Sequence, residues 1–269
     1  MSVEQEGPGT DRRQFLTRTA ASGAGILVSA STLETLVPSF ADAKRGGLRK
    51  GDLAIVGAAQ IAEALAVTTY TNIINRAPFF TRLASDDQGY LRGARQEEMS
   101  HYALEQSVTG KPSPFRTFYY PPKMFSDAQT TLNVLVTLED AFIAAYLVGV
   151  RNFSTPELRV TAARIMGIES DHRTLARVLG SSVAAADGGP IEKITGVQGK
   201  AESIDPPNNN GYERTLKWTK ISQAVTALTP FADKTAAGKA GFDTTKPYHF
   251  KPFSPKLPES LGEFHSFLG

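Results

Sequence analysis

The sequence contains Glu98-Met99-Ser100-His101 and, further along the chain, Glu169-Ser170-Asp171-His172. Both are Glu-x-x-His patterns, and residues three apart in a helix project from the same face. Each pattern lies within a segment whose apolar residues recur every three or four positions, so Glu and His occupy places where Leu or Ile is expected. Burying such groups is costly unless they are paired, protonated or bound to a cation. The two patterns therefore predict helices that share a polar centre.

Four segments have apolar residues at helical spacing, and each is about 24 residues long, or about 36 Å as a helix. They are 51–75, 86–108, 127–150 and 156–179. Capping-box spacings predict three of the starts: Ser85 with Gln88, Ser126 with Gln129, and Ser154 with Glu157. The first, second and fourth helices are expected to end at Pro78, Gly110 and Gly180. Four comparable amphipathic helices predict an all-α fold, a four-helix bundle over residues 50–180.

The connections and the C-terminal region complete the expected architecture. The link between helices two and three, from Gly110 to Met124, is long enough for a crossover along the bundle, whereas the other two links are short. Beyond the bundle, residues 181–269 are expected to form a loop, a short fifth helix and an extended tail that packs on the bundle. The fifth helix is predicted over 213–229, ended by Pro230.

Two further carboxylates, Glu63 and Glu139, lie at seam positions of the first and third helices. A site for two divalent metal ions explains all the seam polar groups together, because four carboxylates balance the charge of two such ions. The predicted ligands are Glu63, Glu98, His101, Glu139, Glu169 and His172. Mixed oxygen and nitrogen ligands suit iron or manganese, and iron is preferred. Two alternatives remain: solvated side chains on surface helices, and buried Glu–His pairs without metal.

Several residues near these ligands have roles that the sequence predicts less directly. Tyr70 and Tyr146 follow Glu63 and Glu139 by seven residues and are expected to be core aromatics with satisfied hydroxyls, with a hydrogen bond to a ligand carboxylate or one-electron chemistry as alternatives. Glu105 is expected to be solvated near a helix end; the alternative is a carboxylate on the route into the site. Candidates for supporting the ligands are Asp171 and Arg95, while surface or packing roles are expected for His249 and His265.

Residues 10–16 read Thr-Asp-Arg-Arg-Gln-Phe-Leu and resemble the twin-arginine export signal. A mildly apolar stretch over 20–37 follows, and Ala41-Asp42-Ala43 supplies the small residues that a signal peptidase reads. Residues 1–43 are therefore predicted to be a signal peptide, and the protein periplasmic or extracellular. The alternative is a retained membrane anchor. No later segment is expected to be long and apolar enough to span a bilayer, so no membrane association is expected after cleavage.

Composition excludes several classes of function. The 269-residue chain has no cysteine, so disulfides, zinc ribbons, cysteine-ligated iron–sulfur clusters and thiol catalysis are excluded. The formal net charge is only +2 and there is no long run of like charges, which argues against a dedicated nucleic-acid binder.

The order Glu, Glu-x-x-His, Glu, Glu-x-x-His resembles the ferritin-like superfamily over about residues 50–180, and more narrowly the exported bacterial ferritin-like domain proteins related to plant desiccation-related proteins. In bacterioferritins and rubrerythrins the corresponding pairs bind two irons. The resemblance implies an oxidoreductase or ferroxidase-like protein that meets dioxygen or peroxide in oxidative or desiccation stress. A homodimer is a further expectation. The long tail argues against a ferritin-type cage. A non-catalytic metal-binding or structural stress-protection protein is the alternative.

Overall fold

Four long helices form the first part of the computed structural model, which describes residues 48–186 and 216–256. Their bounds are Lys50–Arg76 (α1), Ser85–Thr109 (α2), Ala128–Asn152 (α3) and Pro156–Ala186 (α4). Helix α1 packs mainly against α2, and α3 packs mainly against α4. The prediction of an all-α helical bundle is confirmed. The predicted signal peptide lies outside the described residues.

Two of the three predicted helix ends are confirmed and one is wrong. Helix α1 ends two residues before Pro78, and α2 ends at Gly110, which adopts the left-handed conformation with φ 71°. Gly180 does not end α4, which continues to Ala186. A glycine inside a helix costs only about 1 kcal/mol relative to alanine. The Ala-rich residues that follow favour continuation of the helix.

The predicted capping boxes are wrong, although the starts themselves are close: α4 begins at Pro156 as predicted, and α2 and α3 each begin one residue from the predicted position. Helix α2 begins after Ala84, whose side chain cannot cap, and the Gln88 amide donates to the Leu83 carbonyl instead (3.0 Å). Helix α3 is capped by Asp127, which accepts a hydrogen bond from the amide of Thr130 (2.8 Å). Because Asp127 follows Ser126 directly and caps at least as well, it takes the capping position.

At α4 the amide of Leu158 donates to the Thr155 hydroxyl (3.3 Å), so Thr155 caps this helix and the predicted Ser154 does not. Ser154 instead binds the Asp52 carboxylate: its amide donates to Oδ1 (2.8 Å) and its hydroxyl to Oδ2. Asp52 lies in the first turn of α1. The start of α1 is thereby fastened to the turn between α3 and α4.

The crossover between α2 and α3 is confirmed by the positions of the helix ends. The Thr109 hydroxyl at the end of α2 lies 3.3 Å from Gln60 Oε1 in the first half of α1. Because Asp52 places the end of α3 near the start of α1, the start of α3 lies at the other end of the bundle. The chain after Gly110 must therefore run along the bundle. The other links are short, and the first contains a 3-10 turn, Phe80–Arg82.

The C-terminal region contains more regular structure than predicted. Helix α5 is Ile221–Ala232, so its predicted start at residue 213 and end at Pro230 are both wrong. Pro230 is tolerated in the last turn, where the Asp233 amide still bonds to the Thr229 carbonyl (2.9 Å). A second short helix, α6 (Lys234–Lys239), follows within the predicted extended tail.

A two-stranded antiparallel ribbon joins the crossover to the tail. Strand β1 is Thr117–Phe118 and strand β2 is Tyr248–His249, with Phe118 opposite Tyr248. Buried aromatic residues of both segments, including Phe118 and Phe250, belong to the main apolar core of the bundle. This part of the tail is thus held on the bundle by backbone hydrogen bonds and by apolar packing.

Helices α1 and α3 are long and apolar enough to cross a membrane by length and composition, so the expectation that no such segment follows residue 43 is wrong on that criterion. In each helix 83% of the most apolar window is buried inside the structure. The apolar side chains of both helices are used for packing within the bundle.

Candidate metal centre

The six predicted ligand side chains lie together in the interior of the bundle. Each of the four helices contributes at least one of them, and α2 and α4 contribute their Glu-x-x-His pairs. All are buried: Glu63, Glu98, His101, Glu139, Glu169 and His172. The structure therefore brings together every residue that the sequence pattern selected.

The six side chains form two overlapping groups of four. Within each group, one potential ligand atom from every residue lies within 4.8 Å of those of the other three. We call Glu63, His101 and Tyr146 the Glu63 half, and Glu139, His172 and Tyr70 the Glu139 half. The shared carboxylates Glu98 and Glu169 belong to both groups.

The shared carboxylates present different oxygens to the two histidines. His101 Nδ1 lies 3.5 Å from Glu98 Oε2 and 3.2 Å from Glu169 Oε1. His172 Nδ1 lies 3.0 Å from Glu98 Oε1 and 3.4 Å from Glu169 Oε2. Each carboxylate therefore has one oxygen directed to each side, which is the arrangement that bridging between two cations requires.

Six buried atoms of this centre form no hydrogen bond within the described part of the chain, although several of them lie within ion-pair distance of a histidine nitrogen or a carboxylate oxygen. They are Glu63 Oε2, both carboxylate oxygens of Glu98, His101 Nδ1, Glu139 Oε2 and Glu169 Oε1. Buried polar atoms in folded proteins are almost always paired, so a concentration of unpaired ones needs an explanation. Five of them are carboxylate oxygens and one is an imidazole nitrogen. The residues thus fit two divalent cations, which would satisfy all these atoms at once.

The carboxylates differ in their affinity for protons. Burial raises the pKa of Glu63 and of Glu139 well above the ordinary value, and the nearby charges of Glu98 and Glu169 raise it further. Burial acts on Glu98 in the same direction, but the contacts with His172 and His101 together outweigh it and the pKa of Glu98 is lowered. The carboxylates of the two halves therefore hold protons more strongly than the shared Glu98 does.

Burial disfavours the charged form of both histidines, yet the surrounding carboxylates outweigh this and raise the pKa of His101 and of His172 well above the ordinary value. Without a metal ion, protons thus compensate the negative charge of the centre. A metal ligand must be deprotonated, so metal binding to these residues is coupled to proton release.

Two tyrosines hold the outer oxygens of the terminal carboxylates, and they do so across the bundle. Tyr70 of α1 donates to Glu139 Oε1 of α3 (2.7 Å), and Tyr146 of α3 donates to Glu63 Oε1 of α1. Both rings are buried with satisfied hydroxyls, as predicted, and the partners are the ligand carboxylates of the alternative prediction. Each tyrosine fixes one carboxylate oxygen and leaves the other, Oε2, available to a cation.

Glu105 is buried beside the Glu63 half, so the prediction of a solvated side chain is wrong. Its Oε1 lies 2.7 Å from the Tyr146 hydroxyl, which also contacts Glu63. Glu105 follows Glu98 by two helical turns and α2 continues to Thr109, so it faces α3 rather than solvent. The single proton of the Tyr146 hydroxyl cannot bond to two ionised carboxylates at once, so either Glu63 or Glu105 carries a proton of its own. Burial raises the pKa of Glu105, in accord with that requirement.

Sequence reasoning missed Glu97, whose Oε2 lies 2.8 Å from His172 Nε2. The hydrogen bond with His172 lowers the pKa of Glu97 despite partial burial. A proton on Nε2 leaves the Nδ1 lone pair for a cation, which is how a second carboxylate supports a ligating histidine. The only available signal was that an acidic residue precedes Glu98. Its pairing with a histidine on another helix depends on how α2 and α4 pack.

The two predicted supporting residues do not have that role. Asp171 is exposed, and the Arg95 guanidinium lies 5.2 Å from the centre of the Phe253 ring, where it packs against the tail. His249 is exposed, as predicted, with Nδ1 3.2 Å from the Thr117 hydroxyl. His265 lies outside the described residues.

Comparison with known proteins supports the same interpretation of this region. Residues 50–181 match the family of ferritin-like domains, and this range contains all six clustered side chains. Searches of curated proteins and of solved structures return no match.

Proposed function

We propose, on the premise that residues 50–181 form a ferritin-like domain, that this domain binds two divalent metal ions and reacts with dioxygen or peroxide as an oxidoreductase or ferroxidase-like protein. The observation that carries the proposal is the cluster of buried carboxylate oxygens that form no hydrogen bond, at the place where the two groups of four residues overlap. Leaving such atoms unsatisfied is costly, whereas two divalent ions balance the charge of four carboxylates.

The proposed ligands follow from the two groups. Glu63 and His101 hold one ion, Glu139 and His172 hold the other, and Glu98 and Glu169 contribute to both. The ligand set suits iron or manganese, and we propose iron. Bound iron supplies one-electron redox chemistry toward an oxidant.

The surrounding residues prepare the site for this chemistry. Tyr70 and Tyr146 keep the terminal carboxylates in place through their outer oxygens. Glu97 orients His172 and fixes which of its nitrogens faces the centre. The apolar residues around the cluster exclude bulk water, which strengthens every electrostatic interaction inside.

We further propose that the protein is exported by the twin-arginine route and acts in the periplasm or outside the cell, in oxidative or desiccation stress. The proposal is supported by Arg12 and Arg13, followed by the apolar stretch and by Ala41-Asp42-Ala43. That route is used by proteins that fold before transport, which suits a metal loaded inside the bundle. Replacing both arginines with lysine is expected to retain the protein in the cytoplasm, measured by cell fractionation.

The metal proposal is tested by elemental analysis of the purified full-length protein after anaerobic Fe(II) loading. We expect two ions per chain in the native protein, and loss of that stoichiometry in Glu98→Ala and in His172→Ala. Asp171→Ala is the matched control, because this exposed acidic residue is adjacent to His172 in the sequence. Full binding of two ions by Glu98→Ala would contradict the ligand assignment.

Exposure of the loaded protein to air distinguishes turnover from storage. Repeated consumption of oxidant in the presence of a reductant is the result expected of an oxidoreductase. One turnover followed by a stable ferric product would instead indicate metal sequestration, which the burial of the six side chains also permits.

A further inference from the structure

An apolar cavity lies directly behind the Glu63 half of the centre. It is lined by residues of the N-terminal part of α1, the C-terminal parts of α2 and α3, the first turns of α4 and the first residue of α5. It offers about 40 Å³ of free space for the centre of a water-sized molecule. One water needs about 10–15 Å³ by this measure, so the cavity has room for more than one small molecule.

The cavity has an apolar lining and a separate apolar cluster around it. Ile55, Ala59, Leu104 and Ile165 belong both to the lining and to this cluster, which is distinct from the main core. The Thr161 hydroxyl, also in the lining, donates to the Glu157 carbonyl in its own helix (2.9 Å). A buried water needs two to four polar partners, which such a lining does not provide.

Two of the lining residues also contact the candidate metal centre. Tyr146 and Glu105 line the cavity, and the Tyr146 hydroxyl is engaged with Glu63 and with Glu105 Oε1. Glu105 Oε2 is buried without a hydrogen-bond partner, but nearly all of the surface that faces the cavity is apolar. A single layer of side chains therefore separates the cavity from a terminal ligand. At the opposite side, the lining residues Val108, Thr161 and Ile221 are partly exposed, so the cavity approaches the surface of the described structure there.

We propose that this cavity is the site where dioxygen is taken up on its way to the Glu63 half. The inference rests on the proposed function and deepens it by selecting between the two oxidants. Dioxygen is small and nonpolar and loses little by leaving water for an apolar cavity. Hydrogen peroxide donates and accepts hydrogen bonds, and burying it without partners is costly.

The chain offers a closely matched pair of variants for the test. Ala58 and Ala59 are adjacent in α1 and are each 8% exposed. Ala59 lines the cavity described above, whereas Ala58 lines a second apolar cavity between α1, α3 and α5. Ala59→Leu therefore fills the proposed dioxygen site, and Ala58→Leu makes the same chemical change beside it.

The first measurement uses xenon, a nonpolar atom, in crystals of the metal-free and the iron-loaded full-length protein. We expect an anomalous xenon peak among Ile55, Leu104 and Ile165, lost in Ala59→Leu and retained in Ala58→Leu. Absence of this peak from the native protein, or ordered water in its place, would overturn the proposal without affecting the metal assignment. Should Ala59→Leu fail to fold, Val108→Phe fills the same cavity from a partly exposed position.

The second measurement is the rate of Fe(II) oxidation as a function of dioxygen concentration. We expect Ala59→Leu to raise the dioxygen concentration for half-maximal rate severalfold, with two ions still bound, while Ala58→Leu leaves it unchanged. Equal dioxygen dependence in native protein and Ala59→Leu would overturn the proposal. If neither the native protein nor the variants bind iron, the proposed function fails. This outcome is distinguishable from failure of the cavity proposal, because xenon can occupy the cavity whether or not iron binds.

Discussion

The Glu63 half and the Glu139 half have the same inner residues but different surroundings. Each half has one terminal carboxylate, one histidine and one tyrosine from the opposite helix. When the two Glu-x-x-His patterns are aligned in sequence, Glu105 of α2 corresponds to Ala176 of α4, and Glu97 of α2 corresponds to Ile168 of α4. The additional acidic residues both belong to α2, yet one contacts Tyr146 and the other His172.

The different surroundings give the two halves different access to the surface, although their ligand pattern is the same. The Glu139 half has a histidine held by Glu97, whose side chain is 38% exposed, so this half has a polar connection to the surface. The Glu63 half is bordered by an apolar cavity and by the buried Glu105. The repeated pattern therefore accounts for ion binding, while single positions outside it make the two sides of the centre chemically unequal.

The largest expected effect comes from removing what the two halves share. Glu169→Gln replaces a carboxylate that belongs to both groups and is expected to reduce binding from two ions to none at micromolar metal. Glu63→Gln removes a ligand of one half only and is expected to leave one ion bound. Elemental analysis after equilibrium dialysis measures both. Equal stoichiometry in the two variants would show that Glu169 is not shared.

The two tyrosines provide the next comparison. The Tyr146 hydroxyl contacts two carboxylates, Glu63 and Glu105, whereas the Tyr70 hydroxyl donates to one carboxylate, Glu139. Removing a hydrogen bond to a charged or buried group costs about 1.5–3 kcal/mol. We expect Tyr70→Phe to lower the unfolding free energy of the metal-free protein by about this amount, and Tyr146→Phe to lower it more. Urea denaturation measures both. A smaller loss in Tyr146→Phe would mean that Glu105 and Glu63 do not depend on the hydroxyl.

The support of His172 by Glu97 gives an effect confined to the Glu139 half. Loss of a carboxylate behind a ligating histidine typically lowers metal affinity by about 10–100-fold. Glu97→Gln is therefore expected to weaken the second of two binding steps by that factor and to leave the first unchanged, measured by competition with a chelator. Asp171→Asn, an exposed change beside His172, serves as the control. Weakening of both steps would contradict the division into halves.

Sequence alone could predict the helices and the six clustered residues, because both depend on spacing within single helices. The bundle and the convergence of Glu63, Glu98 and their partners follow from that spacing once four helices pack together. Glu97 could not be assigned, since its partner His172 lies on another helix and the contact depends on packing. Glu105 lies close to the predicted end of its helix, and this closeness favours a solvent-exposed side chain. Its position two turns after Glu98 instead places it on the buried face of the helix.

The local features were predicted less well than the global ones. Adjacent capping candidates, such as Ser126 and Asp127, compete at small differences in free energy, and tertiary contacts decide between them. Ser154 is the clearest case: its hydroxyl contacts Asp52 on another helix instead of capping its own. Gly180 shows the same limit, because a preference of about 1 kcal/mol does not end a helix whose following residues favour continuation.

The last comparison, which includes the smallest expected effect, concerns the two ends of the bundle: Asp52 lies beyond the Glu63 half and Asp127 beyond the Glu139 half. Asp52 connects α1 to the turn before α4, whereas Asp127 caps its own helix. Burial acts to raise the pKa of Asp52, but hydrogen bonds from Ser154 and Arg49 lower it overall. A lowered carboxyl pKa means that the unfolded chain binds the proton more strongly. The stabilisation is therefore complete above the unfolded pKa of about 3.9 and is lost as the pH falls through the folded value.

Asp52→Asn is accordingly expected to lower the unfolding free energy by about 1–3 kcal/mol at pH 7. The loss is expected to be smaller at pH 3, below the unfolded pKa, where protonation of the unfolded chain has already removed part of the stabilisation. Asp127→Asn is expected to change it by only a few tenths of a kcal/mol, because asparagine caps a helix about as well as aspartate. Urea denaturation of the metal-free protein at the two pH values measures both. A loss in Asp52→Asn that is the same at pH 3 and pH 7 would show that the Asp52 charge does not fasten α1 to Ser154, because a purely steric contact has no dependence on protonation.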